Sequence, residues 1–156
     1  MSCALRVSEA ASIAMHAMGL LAVEPARPVT TKEIAGCFGI SEAHLSKVLQ
    51  RLVKVGLLSS VRGPRGGFVL AGDPRKTTLL AVFEAIEGRL EKSECLFAVP
   101  LCDGLSCILG RVMGDANRML LEHLSATSLK QISEVFLDGR IEIPFDRPAS
   151  APPRKA

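Results

Sequence analysis

The chain has 156 residues, a formal net charge of +3, 48% hydrophobic and 22% charged composition, only 4% aromatic residues, and neither Tyr nor Trp. That length suits one compact domain, or a small domain with a helical extension, and excludes a large multidomain enzyme architecture. The apolar fraction excludes a disordered chain, no apolar run is long enough to cross a bilayer, and the opening residues MSCALRVSEA lack the pattern of a signal peptide, so a cytoplasmic protein with no membrane partner is expected.

Residues 5–22 place Val7, Ala11, Ala14, Met15, Met18, Leu21 and Ala22 at helical spacing behind a candidate N-cap, Ser8. Pro25 and Pro28 break that helix. Thr30 or Thr31 with Glu33 opens a second helix containing Ile34, Ala35 and Phe38, closed by Gly39. Ser41 caps a third, SEAHLSKVLQRLVKVG, with Leu45, Val48, Leu49 and Leu52 on one side and Gly56 at its end. Two short helices joined by a glycine turn predict a helix-turn-helix, a spacing that small helical bundles share.

The segment that follows sharpens the reading. LLSSV and FVLA are strand-like runs around the turn GPRGG, which makes a β-hairpin in the position of a wing. Between Glu42 and Asp73 there is no acidic residue, while Lys47, Arg51, Lys54, Arg62 and Arg65 all fall in that interval. Arg51 and Lys54 read as a solvated helix face. Arg62 and Arg65, flanked by glycines that expose the backbone, read as contacts to phosphate or the minor groove.

TTLLAVFEAIEG predicts a further amphipathic helix from Thr77 or Thr78 to Gly88, followed by an irregular stretch carrying Cys95, Cys102 and Cys107. From about Leu105 a long helix repeats Leu109, Val112, Met113, Ala116, Met119, Leu120 and Leu124 at three- and four-residue steps. Its apolar stripe is wide enough to be covered either by the same helix of a second subunit or by the rest of its own chain. TSLKQISEVF is a last short helix, and PFDRPASAPPRKA is expected to be disordered. The fold class is therefore mainly α with a small β-hairpin wing: a winged helix-turn-helix domain over residues 1–76, a cysteine loop and dimerisation helices over 77–139, and a tail over 140–156.

The clustered cysteines have six and then four residues between them. A structural zinc site would bring paired ligands and a fourth donor, whereas an iron–sulfur cluster accepts three thiolates and a fourth ligand of another kind. A redox-active thiol pair and three ordinary half-buried cysteines stay open on spacing alone. Cys37 lies in the apolar pattern of the second helix, and Cys3 is terminal. His16 falls among packing residues, and His44 is placed to meet a phosphate before a metal. The cysteine stretch has no neighbouring His, no CxxC and no nucleotide-binding glycine pattern, so no enzyme is expected.

RVSEAASIAMHAM, TTKEIAGCFGISEAHLSKVLQRLVKVGLLSSVRGPRGGFVLAGDP and CLFAVPLCDGLSC together resemble the IscR/NsrR/RirA family of bacterial transcription regulators, from about Leu5 to Asp138, with VRGPRGGFVL the most specific piece. The resemblance implies a homodimer that binds a double-stranded DNA operator through paired winged helices. An iron–sulfur cluster, 2Fe-2S or 4Fe-4S, would set its affinity or sequence preference in response to iron supply, nitric oxide or oxidative stress. It further implies Cys95, Cys102 and Cys107 as iron ligands, Ser41, Glu42, Ala43, His44, Ser46 and Lys47 as the groove-facing start of the recognition helix, and Arg62 and Arg65 as wing contacts. The chain departs from the family's more even cysteine spacing. It has Gly110 where some members place a histidine ligand and Ser12 where others place a carboxylate from the partner's first helix, which leaves Glu9 as the expected fourth ligand. The alternative is a cluster-free regulator that uses its cysteines as a thiol redox switch or binds a small effector.

Overall fold

The computed structural model describes residues 7–90, 107, 110–138 and 143. Helix α1 (Glu9–Leu21) begins where Ser8 Oγ accepts the amide of Ala11 at 3.1 Å. Val7 precedes that cap and is 44% exposed, so it lies outside the apolar face expected of it. The helix is buried around most of its circumference, through Ala11, Ile13, Ala14, Ala17, Met18, Leu20 and Leu21, and its many small residues let neighbouring elements approach closely.

Helix α2 (Thr31–Phe38) opens with a reciprocal cap: Thr30 Oγ1 accepts the Glu33 amide while the Glu33 carboxylate accepts the Thr30 amide at 2.7 Å. Gly39, at φ 64°, closes the helix in the left-handed region, where glycine carries no Cβ penalty. Ser41 then caps helix α3 (Glu42–Lys54), which buries Leu45, Val48, Leu49 and Leu52. Strands β1 (Leu58–Val61) and β2 (Gly67–Leu70) form an antiparallel hairpin with Leu58 opposite Leu70 and Val61 opposite Gly67.

One pairing was not legible in the chain order. Val29, in the segment read only as a proline break, exchanges both backbone hydrogen bonds with Phe68, at 2.9 and 3.1 Å. The turn-side half of β2 is thereby laced to the segment that leads into α2.

Helix α4 (Leu79–Glu87) is capped by Thr78 and buries Leu79, Val82, Phe83 and Ile86. The long helix α5 spans Gly110–Ala126, and α6 (Leu129–Leu137) starts with a second reciprocal cap, Ser128 with Gln131. The Leu79 amide donates to the Thr127 carbonyl and the Leu129 amide to the Thr77 carbonyl, both at 2.9 Å, while the Lys130 amide donates to the Pro74 carbonyl. The α5–α6 turn is thus fastened to the residues that connect the hairpin with α4. One apolar core runs from Ala11 through Leu52 to Phe83, Leu129 and Phe136, and Ile143, within the expected tail, is half-buried against it. None of the described helices is long and apolar enough to cross a membrane.

The apolar stripe of α5 divides into two. Met113 and Leu124 are buried within the chain and Leu120 is half-buried, whereas Val112 and Met119 are 62% and 67% exposed. Val112 and Met119 stand seven residues apart, so they share one outward face.

Helix α6 returns onto α1 at Gly19. A Cβ there would overlap Ile132 Cγ2 and lie 3.0 Å from the Phe136 ring. Ile132 is β-branched and nearly fixed in its helical rotamer, so it cannot swing aside. Gly19→Ala is expected to destabilise the protein by about 1–3 kcal/mol through overpacking, less the ~0.5–1 kcal/mol that alanine gains in helix propensity. Urea unfolding would measure the difference, and an unchanged midpoint would show that the two helices separate without cost.

Candidate nucleic-acid interface

The exposed side of α3 and the tip of the hairpin carry the predicted contact residues. Ser41, Glu42, Ala43 and Lys47 are exposed, while His44 and Ser46 are half-buried. Ser41 Oγ accepts the His44 amide at 3.5 Å, which caps the first turn. Ala43, Lys47, Gln50 and Lys54 recur at three- and four-residue steps and are all exposed, so they form one outward stripe, with exposed Arg51 alongside. Gln50 was missed in the sequence because it is neutral within a cationic stretch. Its seven-residue step from Ala43 is the signal that finds it.

Arg62 and Arg65 are exposed in the turn between β1 and β2. The turn closes through the Gly66 amide on the Gly63 carbonyl at 2.9 Å, and Gly63 has φ 114°. A Cβ on Gly66 would collide with the carbonyl oxygens of Val61 and Gly63, so backbone packing sets the shape of this tip and leaves both arginine side chains outside it.

The ion pairs among the described residues use Arg27, Arg75 and Arg118, leaving Lys47, Arg51, Lys54, Arg62 and Arg65 out of them. Their uncompensated charge is directed at solvent or at a polyanion. Next to this surface, Asp73 holds Arg75 through two side-chain bonds of 3.1 and 3.2 Å, and those bonds keep its carboxyl below the usual aspartate range.

Glu33 anchors the start of the helix pair. Burial pushes its carboxyl up, but the hydrogen bonds from the Thr30 amide and hydroxyl, together with the Arg27 guanidinium 3.8 Å away, hold it below its ordinary value. A carboxylate whose folded pKa is depressed adds stability that is present above its unfolded pKa and lost as pH falls through the folded one. The melting-temperature gap between the wild type and Glu33→Gln, open at neutral pH, is therefore expected to close on acidification through the carboxylate range. A gap constant with pH would remove the charge of Glu33 from the account.

Of the expected cluster ligands, Cys95 and Cys102 lie outside the described residues. Cys107 is half-buried and forms no disulfide, three positions before α5 begins. Glu9 is exposed in the first turn of α1. The Ser8 amide donates to Glu87 Oε1 at 3.3 Å, and the Leu90 amide to Glu84 Oε1 at 3.1 Å, so the start of α1 adjoins the end of α4, where the chain leaves for the cysteine segment. Among the described residues, no three His, Cys, Asp or Glu side chains gather closely enough to hold a metal ion.

A short helix, a glycine turn, a second helix with an outward cationic stripe and a hairpin tipped by two arginines define a winged helix-turn-helix protein of the DNA-binding kind. Comparison with known proteins narrows the class. The profile of the Rrf2 family, described as "Iron-dependent Transcriptional regulator", matches residues 7–134, and the chain belongs to that family, whose members are regulators that bind DNA and not enzymes.

The chain is 33% identical over 119 residues to the transcriptional regulator NsrR of Geobacillus kaustophilus, covering 72% of this chain and 78% of that one. It is 40% identical over 83 residues to the regulator BadM of Rhodopseudomonas palustris, a match that spans only 53% of each chain. Among solved structures, IscR of T. potens superposes with a TM-score of 0.68 at 26% identity, covering 88% of this chain and 92% of that one. CymR, the global cysteine regulator of B. subtilis, shares the fold with a TM-score of 0.70 at 24% identity, covering 83% and 97%. The resemblance to IscR- and NsrR-type regulators read from the sequence thus holds.

Proposed function

We propose that the protein is a cytoplasmic, homodimeric transcription regulator whose binding to a double-stranded operator is controlled by an iron–sulfur cluster held by Cys95, Cys102 and Cys107. The observation that carries this reading is the cluster of three thiols in the segment between α4 and α5, in a family described as iron-dependent. Three thiolates are a soft donor set suited to iron–sulfur chemistry and one short of a closed structural zinc site. Cys107 is half-buried and lies three positions before α5, which places the third thiol beside the start of that helix. Glu9 is the proposed fourth ligand, since Ser12 and Gly110 offer no comparable donor. When bound, the cluster supplies a centre that responds to iron, nitric oxide or redox state.

The chain's own residues then divide the work. Val112 and Met119 present the apolar face of α5 to the same face of a second subunit, and the resulting two-fold axis sets two reading heads on two half-sites. Ser41, Glu42, Ala43, His44, Ser46 and Lys47 enter the major groove, while Arg62 and Arg65 meet phosphate or the minor groove. Because the cysteine segment lies in sequence between the reading head and α5, loading the site would alter the relative angle of the two heads and so the population that fits the operator.

Anaerobic purification followed by iron, sulfide and visible absorbance measurement tests this reading. Brown protein with near-equal iron and sulfide, and cluster-dependent DNA affinity, are expected. A protein that stays colourless after reconstitution, and whose DNA affinity follows thiol oxidants alone, would be a thiol switch and would overturn the cluster.

A further inference from the structure

Glu42 is the only acidic residue of α3, at the end of the helix where the stripe of Ala43, Lys47, Gln50 and Lys54 begins, and no other carboxylate occurs between Glu33 and Asp73. It sits in the first turn of the helix, is exposed, and takes part in none of the ion pairs among the described residues. An acidic residue there improves the helix dipole, but Ser41 already caps this end by accepting the His44 amide. A carboxylate carried toward DNA is repelled by every phosphate, so it lowers affinity for all sequences alike. In the major groove it gains only where a base offers an amino group. The N4 amino group of cytosine is such a donor; adenine N6 also donates but stands beside the acceptor N7, and guanine O6 and thymine O4 are acceptors that a carboxylate disfavours. The same charge therefore rewards one base and penalises two others.

We propose that Glu42 is a specificity-determining residue that accepts a hydrogen bond from cytosine N4 at one position in each half-site and suppresses binding to unrelated DNA. This rests on the reading of α3 as the recognition helix. The surrounding cations supply affinity without sequence information, and Glu42 converts part of that affinity into selection.

The test is selection from a randomised duplex library by the full-length wild type, Glu42→Gln and Glu42→Ala, with affinity for random-sequence duplex measured across a salt series and folding checked by thermal melts. The wild type is expected to enrich cytosine at one position, repeated symmetrically in the two half-sites. Both variants should lose that preference by about ten-fold or more while keeping the others, and should bind random duplex more tightly. Glu42→Gln is nearly isosteric and preserves the helix start. Unchanged base preferences with a uniform gain in affinity would overturn the proposal and leave Glu42 as a helix-end charge. Lys47→Ala and an Arg62→Ala/Arg65→Ala double variant tell that failure from a deeper one. If neither weakens DNA binding, α3 and the hairpin tip are not the reading surface, and the role of Glu42 falls with them.

Discussion

An Arg62→Ala/Arg65→Ala double variant is expected to bind duplex DNA at least about a hundred-fold more weakly than the wild type, because it loses two charge-assisted bonds to phosphate, each worth about 1.5–3 kcal/mol. The dependence on salt is the sharper readout. Each phosphate neutralised contributes about −0.9 to the slope of log affinity against log salt, so removing two contacts should flatten that slope by about two. The fold should survive, since both side chains are exposed and the hairpin is held by its own register and by the pairing of Phe68 with Val29. Substitutions at Gly66 or Gly67 are a different experiment. A Cβ at Gly66 meets two carbonyl oxygens and one at Gly67 meets the backbone of Val29, so those changes displace the tip instead of discharging it. Unchanged affinity and slope in the arginine variant would reduce the tip to a solvated turn.

Cys102→Ala is expected to abolish iron loading. With one of three thiolates gone, anaerobically purified protein should carry almost no iron or sulfide and no visible band, and its DNA affinity should be the same before and after reconstitution. Cys37→Ala is the control. Cys37 is half-buried on α2 and packs against the core, away from the cysteine segment in sequence, so its variant should keep full iron content with only a modest loss of stability. Glu9→Gln should fall between the two, loading iron but releasing it faster if the carboxylate completes the site. Retention of full colour and iron by Cys102→Ala would exclude that thiol as a ligand.

The parts of this fold that could be read from the sequence are those with local chemical signals. Ser8, Thr30 with Glu33, Gly39 and Ser41 marked helix ends that the structure reproduces, because capping involves residues within one turn of each other. The hairpin was equally plain, since its glycines fix the turn and the turn fixes the register. What escaped was non-local. Val29 pairs with Phe68 through a single residue between Pro28 and Thr30, too short to carry a strand pattern. The return of α6 onto α1 depends on the missing side chain of Gly19, which in sequence reads only as a weak helix former. Periodicity identified the stripe on α5 but could not say that Met113 and Leu124 turn inward while Val112 and Met119 turn outward, because both sets repeat at the same helical step. At the interface the charges were conspicuous and neutral Gln50 was not.

The backbone bonds between Thr77–Leu79 and Thr127–Leu129 have a mechanical consequence. They rivet the far end of the long helix to the segment that joins the hairpin to α4, and the buried Leu79 and Leu129 would be laid open to water if the joint parted. A tilt of α5 at that end must therefore either carry the segment between the hairpin and α4 with it or break these backbone bonds.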